Sequence, residues 1–490
     1  MLFNSHEFIF LFCPTVFFVF FLLARRNYRL GLAWLTAGSL FFYAWWNPPY
    51  LILLVGSVIF NYFIGESLNR YQARKKPILT LGIAANLLLL GYYKYTNFLI
   101  DTWNILSGSS IHLASILLPL AISFHTFQQI AYLVDTYRGE TKHYRFLDYL
   151  FFVVFFPQLI AGPIVRHDEI IPQIANKTSF QFEWRYVCLG LTIFSFGLFK
   201  KVVLADHVSI LSDHIFGLPA TTHLSFVEAW LGALAYALQI YFDFSGYSDM
   251  AIGLALIVGI RFPMNFFSPY QANNIIDFWR RWHITLSRFL RDYLYIPLGG
   301  NRYGPVRRHV NLMLTMFLGG LWHGAAWTFV VWGGLHGGYL IINHVWRHLD
   351  ISKRWEARLV WRATSRLITF GAVCFAWVFF RSTSFSGAQE IISSMIGFNG
   401  FGATFHNIIN ARHYVYFVFW GVVFVFFIPN VYVWMERFKP VLSGDFNMRM
   451  RMPDWLLWRP APLLAVSSAA IFLAAALLIN KESPFLYFQF

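Results

Sequence analysis

The chain has 490 residues, of which 58% are hydrophobic, 20% aromatic and 12% charged, whereas a soluble domain carries about 25% charged residues. So few polar side chains cannot cover a water-facing surface, which excludes a soluble globular protein and makes lipid the expected solvent. The formal net charge of +15 does not point to nucleic acid, because the basic residues cluster between apolar segments, as in the cytoplasmic loops of membrane proteins.

Crossing a bilayer as a helix takes about 20 mostly apolar residues. In chain order the candidates are 8–24, 30–47, 50–68, 78–93, 115–135, 149–165, 186–199, 227–243, 247–262, 310–345 as a pair, 367–381, 414–434 and 463–479. The first is expected to stay as a membrane helix and not to be a cleavable signal, since Glu7 precedes the apolar run and Arg25 and Arg26 follow it. The run FFPQLIAGPIVR is broken by Pro and Gly, and such segments are expected to be re-entrant, tolerated only where protein covers the freed backbone groups. The expected fold is all-α: a single transmembrane domain over 1–490 with about 11–14 membrane segments. Cys13, Cys188 and Cys374 lie far apart with no metal-ligand spacing and read as small core hydrophobes, so no metal site is expected.

The basic loops set a topology. Arg25, Arg26 and Arg29, then Arg70 to Lys76, then Arg138 to Arg145, recur after pairs of crossings, and seven arginines lie between Arg280 and Arg308. The positive-inside rule makes these loops cytoplasmic and places both termini on the opposite side.

Four stretches carry candidate chemistry. In LGGLWHGAAW, His323 sits in a segment without Asp, Glu, Lys or Arg between Arg308 and Arg347. An ionisable residue at that depth is a functional candidate, and a neutral imidazole there can take a proton from a hydroxyl, as acyl transfer to an alcohol requires. The alternative is a histidine bonded across helices for structure alone. Gly319, Gly320 and Gly324 permit close approach, and His336, about 220° further around an ideal helix, is not expected to share a face with His323. In DFWRRWHITLSRFLRDYLYIPLGG, Phe278, Trp282, Leu286, Phe289 and Tyr293 form one stripe, with Arg280, Arg281, Arg288 and Arg291 off it. This reads as a basic amphipathic helix in the membrane interface, with arginines suited to an anionic acyl donor and His283 near the approach to His323. In LQIYFDFSGYSDMAIG, Asp243, Ser245, Tyr247 and Asp249 suggest a polar patch lining a cavity, or else a hydrogen-bonded loop between two helices. At the C-terminus, Phe485, Tyr487, Phe488 and Phe490 form either an interfacial belt or a segment that inserts into a groove and presents the Tyr487 phenol.

With PQLIAGPIVR (157–166) and GGLWHGAAWTFVVWGGLHG (319–337), these stretches resemble, over nearly the whole chain, the membrane-bound O-acyltransferase family. The likeness is to its bacterial branch of alginate and peptidoglycan O-acetyltransferase membrane subunits. The resemblance implies a helical ring around a central tunnel, with His323 in the position of the family's tunnel histidine and His283 matching a second recurrent one. It also implies acetyl-CoA as cytoplasmic donor and a periplasmic acetyltransferase of the SGNH type as partner, in a bacterial inner membrane. In a related D-alanylating system a partner peptide with a similar aromatic end takes the acyl group on a tyrosine; here that ending is fused to the chain. A phenol, with a pKa near 10, yields its proton to imidazole more easily than an aliphatic alcohol does. Acyl transfer from a carrier protein, a lipid or polysaccharide transporter, and a recruiting scaffold are the alternatives.

Overall fold

The computed structural model describes residues 1–114, 116–141, 143–175, 180–349, 359–402, 411–442, 452–479 and 483–486. Among them the structure is helical, and the one sheet-like feature is an isolated bridge between Pro263 and Leu442. Five helices are long and apolar enough to cross a membrane: Glu7–Arg26, Pro48–Arg70, Gln72–Ser107, Trp184–Gly217 and Leu359–Arg381. Arg412–Phe427 and Pro462–Leu477 are shorter apolar helices.

The centre is the 32-residue helix Phe226–Ile257, buried along almost its whole length. It starts at a capping box, in which the Ser225 hydroxyl accepts from the Glu228 N–H and the Glu228 carboxylate accepts from the Ser225 N–H. It packs on Trp184–Gly217 through glycines seven residues apart on each helix. A Cβ at Gly190 would lie 2.5 Å from the Gly253 carbonyl oxygen, and one at Gly197 would lie 2.6 Å from that of Gly246. Without side chains there, the two backbones touch, which is how helices associate where lipid offers no hydrophobic drive. Interhelical polar bonds add to this: Asn86 Nδ2 donates to Asn61 Oδ1 at 2.7 Å, fastening Gln72–Ser107 to Pro48–Arg70.

Two expectations fail here. LQIYFDFSGYSDMAIG is no loop between helices; it lies inside the continuous Phe226–Ile257. Asp243 and Asp249 are tolerated mid-helix because Lys201 and Lys200 pair with them. Residues 277–300 are likewise not one interfacial helix. They form Ile275–Trp279, Ile284–Leu290 and the wider turn Arg291–Tyr295, and Phe278, Trp282, Leu286 and Phe289 are buried in protein. The apolar stripe was read correctly, but the core covers it instead of lipid. Cys188 is exposed on its helix, unlike buried Cys374.

The Pro- and Gly-broken run behaves as expected of backbone sheltered by protein. Phe146–Val154 ends at Phe155, Phe156–Leu159 adds one turn, and residues 160–165 run without regular structure, all buried. Side chains from distant segments satisfy the freed amides: Phe156 N–H donates to Ser39 Oγ at 3.0 Å and Ile164 N–H to Thr285 Oγ1 at 3.0 Å.

Candidate active site

His323 is the last residue of helix Gly304–His323; Gly324 turns extended, and Trp327–His348 returns as the second arm of a hairpin. Glycine makes the hairpin tight: a Cβ at Gly320 would meet the Phe329 carbonyl oxygen, and one at Gly333 that of Met316. Helix ends leave carbonyls without intrahelical donors, and here they lie in the protein interior. Tyr95 OH donates to Leu321 O at 2.8 Å. Lys94 Nζ donates to Trp322 O, to His323 O at 3.2 Å and to Ser123 Oγ at 3.4 Å. A buried lysine thus caps the helix whose final residue is His323, donating to its terminal carbonyls. Lys94 reaches that point from a π-turn, Gly91–Tyr95, within Gln72–Ser107, the kind of irregularity common at functional sites.

The His323 ring is buried, with ring centroids 4.9 Å from Trp322, 5.0 Å from Trp332 and 5.2 Å from Phe380. His323 is among the residues lining a small cavity of about 30 Å³, with Lys94, Ile160, Trp322 and the 118–124 segment. In that segment Ala121 has φ +63°, a left-handed conformation costing a non-glycine residue about 1–3 kcal/mol.

His283 is the second imidazole of the site, its ring centroid 6.4 Å from that of His323. It too is left-handed, at φ +42°, and precedes Ile284–Leu290. Its Nδ1 lies 3.0 Å from Asn265 Oδ1, which also accepts from Thr285 Oγ1 at 2.9 Å, while Asn265 Nδ2 donates to Ser248 Oγ at 3.1 Å. In this network Nδ1 carries the proton and Nε2 is the basic nitrogen. His336 is separated from His323 by Trp332, at 5.0 Å and 4.8 Å from the two rings, inside an aromatic box with Phe278 and Trp279. The helical-wheel angle is irrelevant to this pair, because the chain breaks at Gly324 and they stand on different arms.

The cavity beside His323 is not lined by Asp243, Ser245, Tyr247 or Asp249; all four are buried in the interior. Lys201 Nζ pairs with Asp243 at 2.7 Å and with Asp206 at 2.8 Å, and Lys200 Nζ with Asp249 at 2.6 Å, where Tyr432 OH also donates at 2.6 Å. Both lysines sit on another π-turn, Lys200–Ala205. The C-terminal segment meets this cluster. Phe485 is buried against Tyr247 with ring centroids 4.4 Å apart, and Leu486 N–H donates to Asp243 Oδ2 at 3.0 Å. Tyr487, Phe488 and Phe490 lie outside the described residues.

Three of the four arginines assigned to an anionic donor already hold carboxylates: Arg281 with Asp277 at 2.9 Å, Arg288 with Glu169 at 2.5 Å, and Arg291 with Asp292 at 2.6 Å. Burial would raise the Asp292 carboxyl, but bonds from Arg291 and Arg166 outweigh it and hold it below the usual range. Arg280 is exposed and has no ion pair among the described residues.

Lys94, Asn265, Lys200 and Lys201 were missed in the sequence. The lysines were visible as charges at the ends of apolar runs, in GYYKY and LFKKVV, but windows trimmed at 93 and 199 turned them into boundary markers. Asn265 carries no sequence signal.

A family model described as MBOAT, membrane-bound O-acyltransferase family, matches residues 101–389. The chain is 47% identical over 431 residues to the peptidoglycan O-acetyltransferase of Helicobacter pylori, covering 82% of this chain and 80% of that one. It is 39% identical over 511 residues to the probable alginate O-acetylase AlgI of Pseudomonas putida, with 100% of both chains covered. A weaker likeness, 27% over 305 residues, covers 59% of this chain and 75% of the teichoic acid D-alanyltransferase of Bacillus subtilis. With its apolar helices, its buried histidine pair and these relatives, the chain belongs to the membrane-bound O-acyltransferase family and is a multi-pass membrane acyltransferase.

Proposed function

We propose that the chain takes an acetyl group from cytoplasmic acetyl-CoA and passes it across the bacterial inner membrane. A periplasmic acetyltransferase of the SGNH type receives it and modifies an alginate- or peptidoglycan-type polysaccharide. His323 is the general base and Tyr487 the first acceptor. The observation that carries this reading is the seating of His323: a buried imidazole at a cavity wall, on a helix end tied down by Lys94 and Tyr95.

In the proposed step, His323 removes the phenol proton of Tyr487 as the phenolate oxygen attacks the thioester carbonyl. The tetrahedral intermediate collapses, the C–S bond breaks, and the CoA thiolate leaves with the proton from the imidazolium. The aryl ester formed stays activated, so transfer onward to a serine is downhill and transfer from there to a sugar hydroxyl remains feasible. His283, held by Asn265 with Nε2 basic, is the second group for proton movement in the tunnel. Exposed Arg280 is the first contact for the phosphates of CoA, with Arg281, Arg288 and Arg291 behind it.

The test is polysaccharide acetylation in cells carrying His323→Ala or Tyr487→Phe. Both should abolish acetylation with the protein still in the membrane. Full acetylation with Tyr487→Phe removes the acceptor step; full acetylation with His323→Ala removes the mechanism and favours a transporter or scaffold. The likeness to a D-alanyltransferase keeps one rival donor in view. Purified protein that ignores acetyl-CoA and uses an acyl-loaded carrier protein would establish it.

A further inference from the structure

The Lys201 cluster has a composition that its helical neighbours do not explain. One ammonium faces two carboxylates, Asp206 and Asp243, and both Lys201 and Asp243 are almost fully buried. Such a group is stable at membrane depth only when its remaining charge and lone pairs are met. Residues 483–486 meet them. Leu486 N–H donates to Asp243 Oδ2 at 3.0 Å, and the Ser483 hydroxyl donates to Asp206 Oδ1 at 3.0 Å. Lys201 Nζ lies 3.1 Å from Ser483 Oγ and 3.4 Å from the Pro484 carbonyl oxygen. From the other end of the chain, Asn4 Nδ2 donates to Ser483 O at 3.1 Å.

The apolar part is as specific. The Phe485 ring is buried, with Lys201 Nζ 5.0 Å from its centroid and Tyr247 edge-on at 4.4 Å. Tyr247 in turn stacks on Phe3 at 4.7 Å and lies against the backbone of Ala161, next to the cavity residue Ile160. The seat of Phe485 is therefore one side chain away from the loop that walls the His323 cavity.

We propose that Lys201, Asp206 and Asp243, with Asn4 and Tyr247, form a binding site for the chain's own C-terminal segment. The site grips main-chain atoms and one aromatic ring, and it fixes the register in which the residues after Leu486 are presented. This rests on the reading of the C-terminus as the acyl-accepting end, but the binding site itself stands whether or not Tyr487 carries the acetyl group. Three of the contacts are to backbone atoms, so the grip tolerates side-chain changes and is sensitive to a lost N–H.

The experiment places the photo-crosslinker p-benzoylphenylalanine at position 485 of the full chain in membranes and measures crosslinking to the Phe226–Ile257 helix. Leu486→Pro deletes the donated N–H and leaves every buried charge in place, so it does not depend on refolding the cluster. It should lower the crosslink about tenfold or more, in line with a lost hydrogen bond to a charged acceptor. Leu486→Ala should leave it intact, and Asp243→Asn should lower it as Leu486→Pro does. Unchanged crosslinking in both Leu486→Pro and Asp243→Asn overturns the proposal. Tyr487→Phe keeps the two readings apart: an intact crosslink with acetylation lost supports both, and an intact crosslink with acetylation retained supports the binding site while removing Tyr487 as acceptor.

Discussion

Lys94 and Lys201 are the same local device put to different use. Each is a buried lysine on a π-turn that interrupts a long apolar helix. Among the described residues Lys94 meets neutral acceptors, the carbonyls of Trp322 and His323 and the Ser123 hydroxyl. Lys201 meets two carboxylates and then the C-terminal segment. The difference teaches that a charge inside a membrane protein is read from its partners. Against a helix end it holds a catalytic candidate still, and against carboxylates it builds a polar seat for another part of the chain.

Substitutions can break or sharpen that contrast. The largest effect belongs to the residue Lys94 serves: His323→Ala should lower acetyl transfer by about 10²–10⁴, read on purified protein with acetyl-CoA, with little change in thermal unfolding. Lys201→Met should be the most damaging to stability, because it strands Asp243 and Asp206. A cost of about 3–5 kcal/mol is expected, seen as a large drop in the unfolding temperature in detergent. Lys94→Met strands only carbonyls and a hydroxyl, so about 1–3 kcal/mol is expected, with kcat falling more than KM rises because His323 loses its anchor. Equal destabilisation by the two methionine variants would erase the contrast. Asn265→Ala, which unties His283 Nδ1, should cost about 1 kcal/mol and lower kcat several-fold. The smallest effect is that of Arg280→Ala: stability within about 0.5 kcal/mol and a higher KM for acetyl-CoA at unchanged kcat.

Much of the architecture was legible because apolar runs of bilayer length have few alternatives. The sheltered break at 155–165 follows from Gly, Pro and the need to satisfy backbone amides, and 310–345 reads as a pair of crossings, but the turn at Gly324 is not legible: the wheel angle from His323 to His336 assumes one unbroken helix. Elsewhere the reading failed at charges. Asp243 and Asp249 suggest a cavity lining or a loop between two helices because each alone is too costly to bury. Their partners Lys201 and Lys200 lie 42 and 49 residues upstream, beyond any local window. His323 is legible and Lys94 is not: a single ionisable residue stands out inside an apolar run, but the carbonyls that Lys94 caps are contributed by residues 322 and 323. The tether of His283 to Asn265 is tertiary and leaves no periodic trace.

The most direct measurement is mass spectrometry of the C-terminal peptide after the purified protein has met acetyl-CoA. One acetyl group on Tyr487, absent in the His323→Ala protein, is the expected result. Acetyl transfer to the partner enzyme without any acetyl on Tyr487, or labelling of Tyr487 that survives His323→Ala, would contradict it.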